Sequence, residues 1–176
     1  MIDLVLKAAG AACVMAAAAA YGELKARRLA QRVNQLQQFQ QSLKLLAEEI
    51  SFARSVLPEA FQAVGGQCAP PIRDLYRLAA ETLAGNRELS AGEAWCEAVR
   101  RIYPASSFTP ADREIIKGLG VSLGAREREG QLQQIRLTER RLELALEGAR
   151  DDNNRRAKLW RYLGYLGGAA MVILLL

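Results

Sequence analysis

Apolar residues in the first third of the chain return at helical intervals. Val33, Leu36, Phe39, Leu43, Leu46, Ile50, Ala53 and Leu57 follow one another at three or four positions, and Gln, Lys and Glu fill the positions between. Side chains spaced in this way share one face of an α-helix. One long amphipathic helix is therefore expected, continuous with the apolar residues upstream because no strong breaker separates Tyr21 from Val33. Pro58 stands where a new helix begins, since a first helical position needs no amide hydrogen. The EAFQAV that follows ends at Gly65 and Gly66.

The next elements are shorter and better punctuated. After Pro70 and Pro71, the stretch IRDLYRLAAETLAG places Ile72, Leu75, Leu78, Ala79 and Leu83 on one face and ends at Gly85 and Asn86. Ser90 and Glu93 have capping-box spacing for a helix that carries Ala94, Trp95 and Val99 to about Ile102. Trp95 is expected in the core. In TPAD, Thr109 precedes Pro110 at the first helical position, and Asp112 falls in the first turn near the positive end of the dipole. Gly118, Gly120 and Gly124 fall in a helical pattern and read as close-packing positions. A final long helix from about Glu127 to Leu159 buries Leu132, Ile135, Leu142, Leu146 and Ala149. Like charges at Arg136/Arg140, Glu139/Glu143 and Glu143/Glu147 repel across one turn, so packing rather than propensity must hold it. The expected fold is all-α, a bundle of about six helices with the two long ones side by side.

Both ends are apolar. Leu4–Gly22 carries one charge, Lys7, and at about 1.5 Å per residue nearly spans a hydrocarbon core of about 30 Å. The closing LWRYLGYLGGAAMVILLL, Leu159–Leu176, is uncharged after Arg161. Lys25, Arg27, Arg28 and Arg32 follow the first segment, and Arg155, Arg156, Lys158 and Arg161 flank the second. Both clusters face the middle of the chain, so the positive-inside rule puts that middle in the cytoplasm. The expected organisation is an N-terminal anchor at 1–22, a cytoplasmic helical domain at 23–158 and a second membrane segment at 159–176. Trp160, Tyr162 and Tyr165 suit the interface, with Arg161 turning its guanidinium to the headgroups. Alternatives are a cleaved signal, a lipid attachment at Cys13 within GAAC, or a buried C-terminal helix.

Composition narrows the chemistry. Hydrophobic residues make up 51% and aromatic ones only 6%, which favours helix over sheet. The chain has no histidine. That removes imidazole bases and makes zinc or haem sites improbable. Cys13, Cys68 and Cys96 have no CxxC spacing and read as reduced thiols, and no glycine-rich phosphate loop is present. The carboxylates Asp74, Glu81, Asp112 and Glu114 are expected on solvated helix surfaces. No enzymatic activity, metal or cofactor is expected. Nucleic-acid binding is disfavoured, because the basic residues lie beside the apolar ends, where anionic lipid headgroups account for them.

The chain resembles the stage III sporulation protein AB family in KARRLAQRVNQLQQFQQSLKLLAEEISFARSVLPEAF, LSAGEAWCEAV, FTPADREIIKGLGVSLGAREREGQLQQIRLTERRLELALEGAR and the LGYLGGAAMVILLL tail. The most specific pieces are Leu57–Phe61, Glu93–Trp95, Leu123/Gly124 with Gln131, and Leu163–Gly168. One departure falls at Ala125 and Arg126, where the family has a small polar residue and an aspartate. The resemblance implies a membrane component of the complex joining mother cell and forespore, sited in the mother-cell membrane facing the forespore. It also implies a cytoplasmic domain similar to the platform proteins of type II secretion and type IV pilus machines. Its partners would be a cytoplasmic secretion-type ATPase, other channel components and membrane lipids. Helix connections far from the membrane, at Arg87, Glu88, Arg126, Glu127 and Arg128, are the candidate docking positions. An exported or lipid-anchored helical binding protein is the alternative, and the long seams suit either a monomeric bundle or a dimer.

Overall fold

The computed structural model describes residues 2–52, 56–86, 88–121, 123 and 128–175; the side chains at 2–9, 11, 52, 128, 161, 168 and 171–175 lie outside that description. The fold is all-α: among the described residues there are six helices, α1 (Ile2–Phe52), α2 (Leu57–Gly66), α3 (Ile72–Gly85), α4 (Ala91–Ile102), α5 (Pro110–Gly118) and α6 (Arg128–Leu175), with 3₁₀ turns at Tyr103–Ala105 and Leu119–Val121. The chain divides into two compact units. Unit 1 comprises Met1–Gln31 with Gly148–Leu176, and unit 2 comprises Arg32–Glu147.

Unit 2 is built on the expected seam. Leu36, Phe39, Leu43 and Leu46 are fully buried and Ile50 nearly so. Ala53 lies outside the described residues, and Leu57 belongs to α2 rather than to the first helix. At the centre, Trp95 packs against Phe39, Phe61 and Tyr76 at ring-centroid distances of 6.2, 5.7 and 5.3 Å, and all four residues are inaccessible to solvent. Its indole N–H donates to the Ile116 carbonyl at 2.8 Å, so the polar edge of the ring is satisfied where α5 ends. Ser42, on the same face of α1, donates to the Phe39 carbonyl at 2.7 Å, and its Oγ lies 3.1 Å from the Tyr76 hydroxyl.

The helix starts follow the local chemistry. Ser90 Oγ accepts from the Glu93 amide at 3.3 Å while a Glu93 carboxylate oxygen accepts from the Ser90 amide at 2.9 Å, closing a capping box on α4. A cap of this kind stabilises by about 1 kcal/mol. Thr109 and Asp112 form a second box on α5, with Pro110 in its first turn. Helix α5 stops at Gly118, and Leu119–Val121 tightens into a 3₁₀ turn instead of continuing. A Cβ on Gly120 would stand 3.0 Å from Trp95 Cδ1, and one on Gly92 would collide with the Gly120 carbonyl. Close packing thus explains Gly120 and not Gly118, which has open space around it; Gly124 lies outside the described residues.

Unit 1 pairs the start of α1 with the end of α6. A Cβ on Gly22 would stand 2.5 Å from the Trp160 carbonyl oxygen, and one on Gly164 would stand 2.8 Å from that of Ala18. Residues rising in number along α1 meet residues falling in number along α6, so the two segments are antiparallel. Among the described residues no helix is long and apolar enough to cross a membrane. In both apolar runs the side chains at 2–9, 11, 161, 168 and 171–175 lie outside the description; the stretch from Ala12 owes its apolar character to alanine, which contributes little to insertion.

Candidate functional site

Two groups of sequence-predicted residues can be located. In unit 1, the Tyr21 and Trp160 rings meet edge to face at 6.3 Å, and the Lys25 ammonium lies 5.6 Å from the first ring centre and 5.9 Å from the second. One turn further from the termini, Arg27 and Lys158 line a groove of about 370 Å³ with Ala26, Ala30, Asn153, Asn154 and Ala157. The structure therefore brings Lys25, Arg27, Lys158 and Trp160 to one region of the helix pair. Arg28 and Arg155 are exposed, and Arg156 pairs with Asp152 at 3.0 Å. The side chain of Arg161 lies outside the described residues.

Arg32 is the exception. Read from sequence with the basic cluster beside the first apolar segment, it instead belongs to unit 2 and grips Asp112 with both arms of its guanidinium, Nε to Oδ2 at 2.7 Å and Nη2 to Oδ1 at 3.0 Å. The side chains retain 14% and 1% of their exposure. Asp112 is correspondingly not the solvated surface carboxylate expected of it. Burial pushes its carboxyl upward, but the Arg32 guanidinium and the Thr109 amide and hydroxyl outweigh that and hold it below the usual carboxylate range. Beside this pair the Gln35 side-chain oxygen accepts from the Ser107 amide at 2.7 Å, so α1 fixes both the approach to α5 and its first turn.

Of the candidate docking positions, Glu88 is exposed and its amide donates to the Asn86 side chain at 3.0 Å. Arg87, Arg126 and Glu127 lie outside the described residues, as does the side chain of Arg128. A surface groove of about 400 Å³ between α4 and α5 is lined by Cys96, Glu97, Arg100, Arg113 and Lys117 among others. Most of its charges are already engaged. Arg100 and Arg101 hold Glu97 down to about 2, and Arg113 bonds Glu114 at 2.9 Å while lying 5.0 Å from the Tyr103 ring centre. Asp74 pairs with Arg73 and Glu81 with Arg77, both on exposed helix surface. Among the described residues no cluster of potential metal ligands forms.

Sequence reading missed Asn153 and Asn154, which carry no pattern until α1 and α6 are paired. It also missed the Arg32 partnership, having placed Asp112 only in the first turn of its helix near the positive end of the dipole.

Fold and side-chain arrangement define an all-helical protein organised by packing and surface charge. The family model described as Stage III sporulation protein AB matches residues 7–176. The Stage III sporulation protein AB of Bacillus subtilis (strain 168) is 27% identical over 171 residues, covering 97% of this chain and 99% of that protein. A solved structure titled Stage III sporulation protein AB (SpoIIIAB) superposes with a TM-score of 0.65 at 26% identity, covering 70% of this chain and 96% of the other. The chain belongs to the stage III sporulation protein AB family, and so has a role in sporulation. The members compared carry the name of a sporulation stage and not of a reaction.

Proposed function

We propose that the chain is a two-pass membrane platform of the sporulation machinery. Its central domain stands in the mother-cell cytoplasm and couples a secretion-type ATPase to a channel in the membrane facing the forespore. The observation that carries this reading is the antiparallel pairing in unit 1. It sets the inner ends of the N-terminal and C-terminal apolar runs, 18–22 and 160–164, side by side and gathers Lys25, Arg27 and Lys158 at the end of the pair adjoining, in sequence, the central domain. A membrane hairpin obeying the positive-inside rule needs both features. Glycine contacts are how helices approach closely where no water drives association, and the Tyr21–Trp160–Lys25 cluster has the amphipathic character of an interfacial belt.

The ATPase partner is what the family resemblance read from the sequence implies, through an analogy of fold with secretion platforms. Docking is assigned to Arg87, Glu88, Arg126, Glu127 and Arg128. Charge reversal at these five positions in the full chain, followed by pull-down of the sporulation ATPase from sporulating cells, tests the assignment. Loss of the ATPase with the chain still in the membrane fraction is expected. Undiminished capture would remove these positions from the docking surface.

A further inference from the structure

The groove in unit 1 has a composition that general attraction to a charged membrane does not require. Its apolar lining is alanine alone, buried Ala26 and exposed Ala30 from α1 and half-buried Ala157 from α6, so no long apolar side chain fills it. Arg27 stands on one wall and Lys158 on the other, both exposed. Arg27 also meets Glu23 at 3.2 Å, but an exposed pair across one helical turn holds weakly and leaves the guanidinium free to turn. Asn153 and Asn154 add neutral amides, each with two donors and an acceptor. Trp160 and Tyr21 lie one turn or so nearer the termini, at the level expected of a headgroup region.

Two cations across a neutral, hydroxyl-seeking pair match one anionic headgroup. We propose that this groove is a seat for a phospholipid of the phosphatidylglycerol type, with the phosphodiester between Arg27 and Lys158 and the head hydroxyls on the Asn153 and Asn154 amides. The cavity of about 370 Å³ lies within the range of small-ligand sites. The proposal rests on the two-pass reading and goes beyond it. Positive charge beside a membrane attracts any anionic lipid; only a built seat makes the uncharged asparagines matter.

The test reconstitutes the full chain in phosphatidylcholine bilayers doped with spin-labelled phosphatidylglycerol or spin-labelled phosphatidylcholine, and compares the protein-restricted fraction of each. A preference of about fivefold for phosphatidylglycerol is expected. It should fall by more than half in Asn153→Ala/Asn154→Ala, which changes no charge. Arg28→Gln/Arg155→Gln, which removes two exposed charges outside the groove, should lower it less. An asparagine variant with the wild-type preference, or an equal loss in the arginine variant, would assign the preference to diffuse charge and overturn the seat. Displacement of the labelled lipid by soluble glycerol phosphate would make the groove a general phosphate site and overturn the lipid assignment. A wild-type chain that enters neither bilayer would overturn the two-pass reading and the seat together, whereas one that enters both without preference would overturn the seat alone.

Discussion

In unit 2 the helices are spaced by large side chains, with Trp95 at the centre of Phe39, Phe61 and Tyr76 and leucines at each turn of α1. In unit 1 they meet where side chains are missing, at Gly22 and Gly164, backbone against backbone. On the two-pass reading proposed above, the contrast follows from what each region displaces. In water, burying an aromatic ring or a leucine is itself the driving force, so large apolar residues are gathered. Among lipid chains that force vanishes, and close backbone approach and dispersion contacts take its place. Their polar groups differ in the same way: unit 2 buries a bidentate ion pair, while the unit 1 cations remain accessible.

Removing the ring at the centre of unit 2 should have the largest effect. Trp95→Ala is expected to destabilise the full chain by about 3 to 5 kcal/mol, read as a lowered denaturation midpoint in detergent. A midpoint equal to the wild type would show that the aromatic cluster is not what holds unit 2.

Next comes Asp112→Asn, expected to cost about 2 to 4 kcal/mol at neutral pH because it breaks the bidentate ion pair that Asp112, 1% exposed, makes with Arg32. The folded-state pKa of Asp112 lies below the unfolded value of about 3.9. The pair's contribution is therefore complete above that value and disappears as the pH falls through the folded pKa. Wild type and variant should converge in acid. Glu81→Gln, which breaks the exposed pair with Arg77, should change stability by less than about 0.5 kcal/mol.

Gly164→Leu tests the other region. The added side chain meets the Ala18 carbonyl and the Gly22 Cα, and overpacking of this kind costs about 1 to 3 kcal/mol. The readout is disulfide cross-linking between cysteines placed at Tyr21 and Trp160, whose rings meet across the pair at 6.3 Å, in a chain lacking the native cysteines. Efficient cross-linking in the parent and its loss in the leucine variant are expected; retention would mean that the glycines are not what brings the helices together.

How far each region was legible in sequence depended on the range of its determinants. The α4 and α5 starts were plain because SAGE and TPAD contain both halves of their caps within four residues. The α1 seam was plain because helical periodicity repeats over many turns. Leu57 extended the same spacing and so was read into the first helix, where Pro58 places it in the next. Arg32 was misread for a related reason: it sits four residues beyond Arg28 and looks like part of that cluster, while the carboxylate it serves is eighty residues away. Asn153 and Asn154 carry no periodic or motif signal at all. Their significance comes only from the alanines and arginine that α1 sets opposite them.

Membrane topology tests the central claim most directly. Single cysteines at Ile2, Gln67 and Leu176, introduced into a chain lacking Cys13, Cys68 and Cys96, would be treated in intact cells with an impermeant thiol reagent. The two-pass platform predicts labelling at Ile2 and Leu176 and protection at Gln67, which is exposed at the end of α2 and reacts once the membrane is opened. Labelling of Gln67 in intact cells would put the helical domain outside and contradict the account.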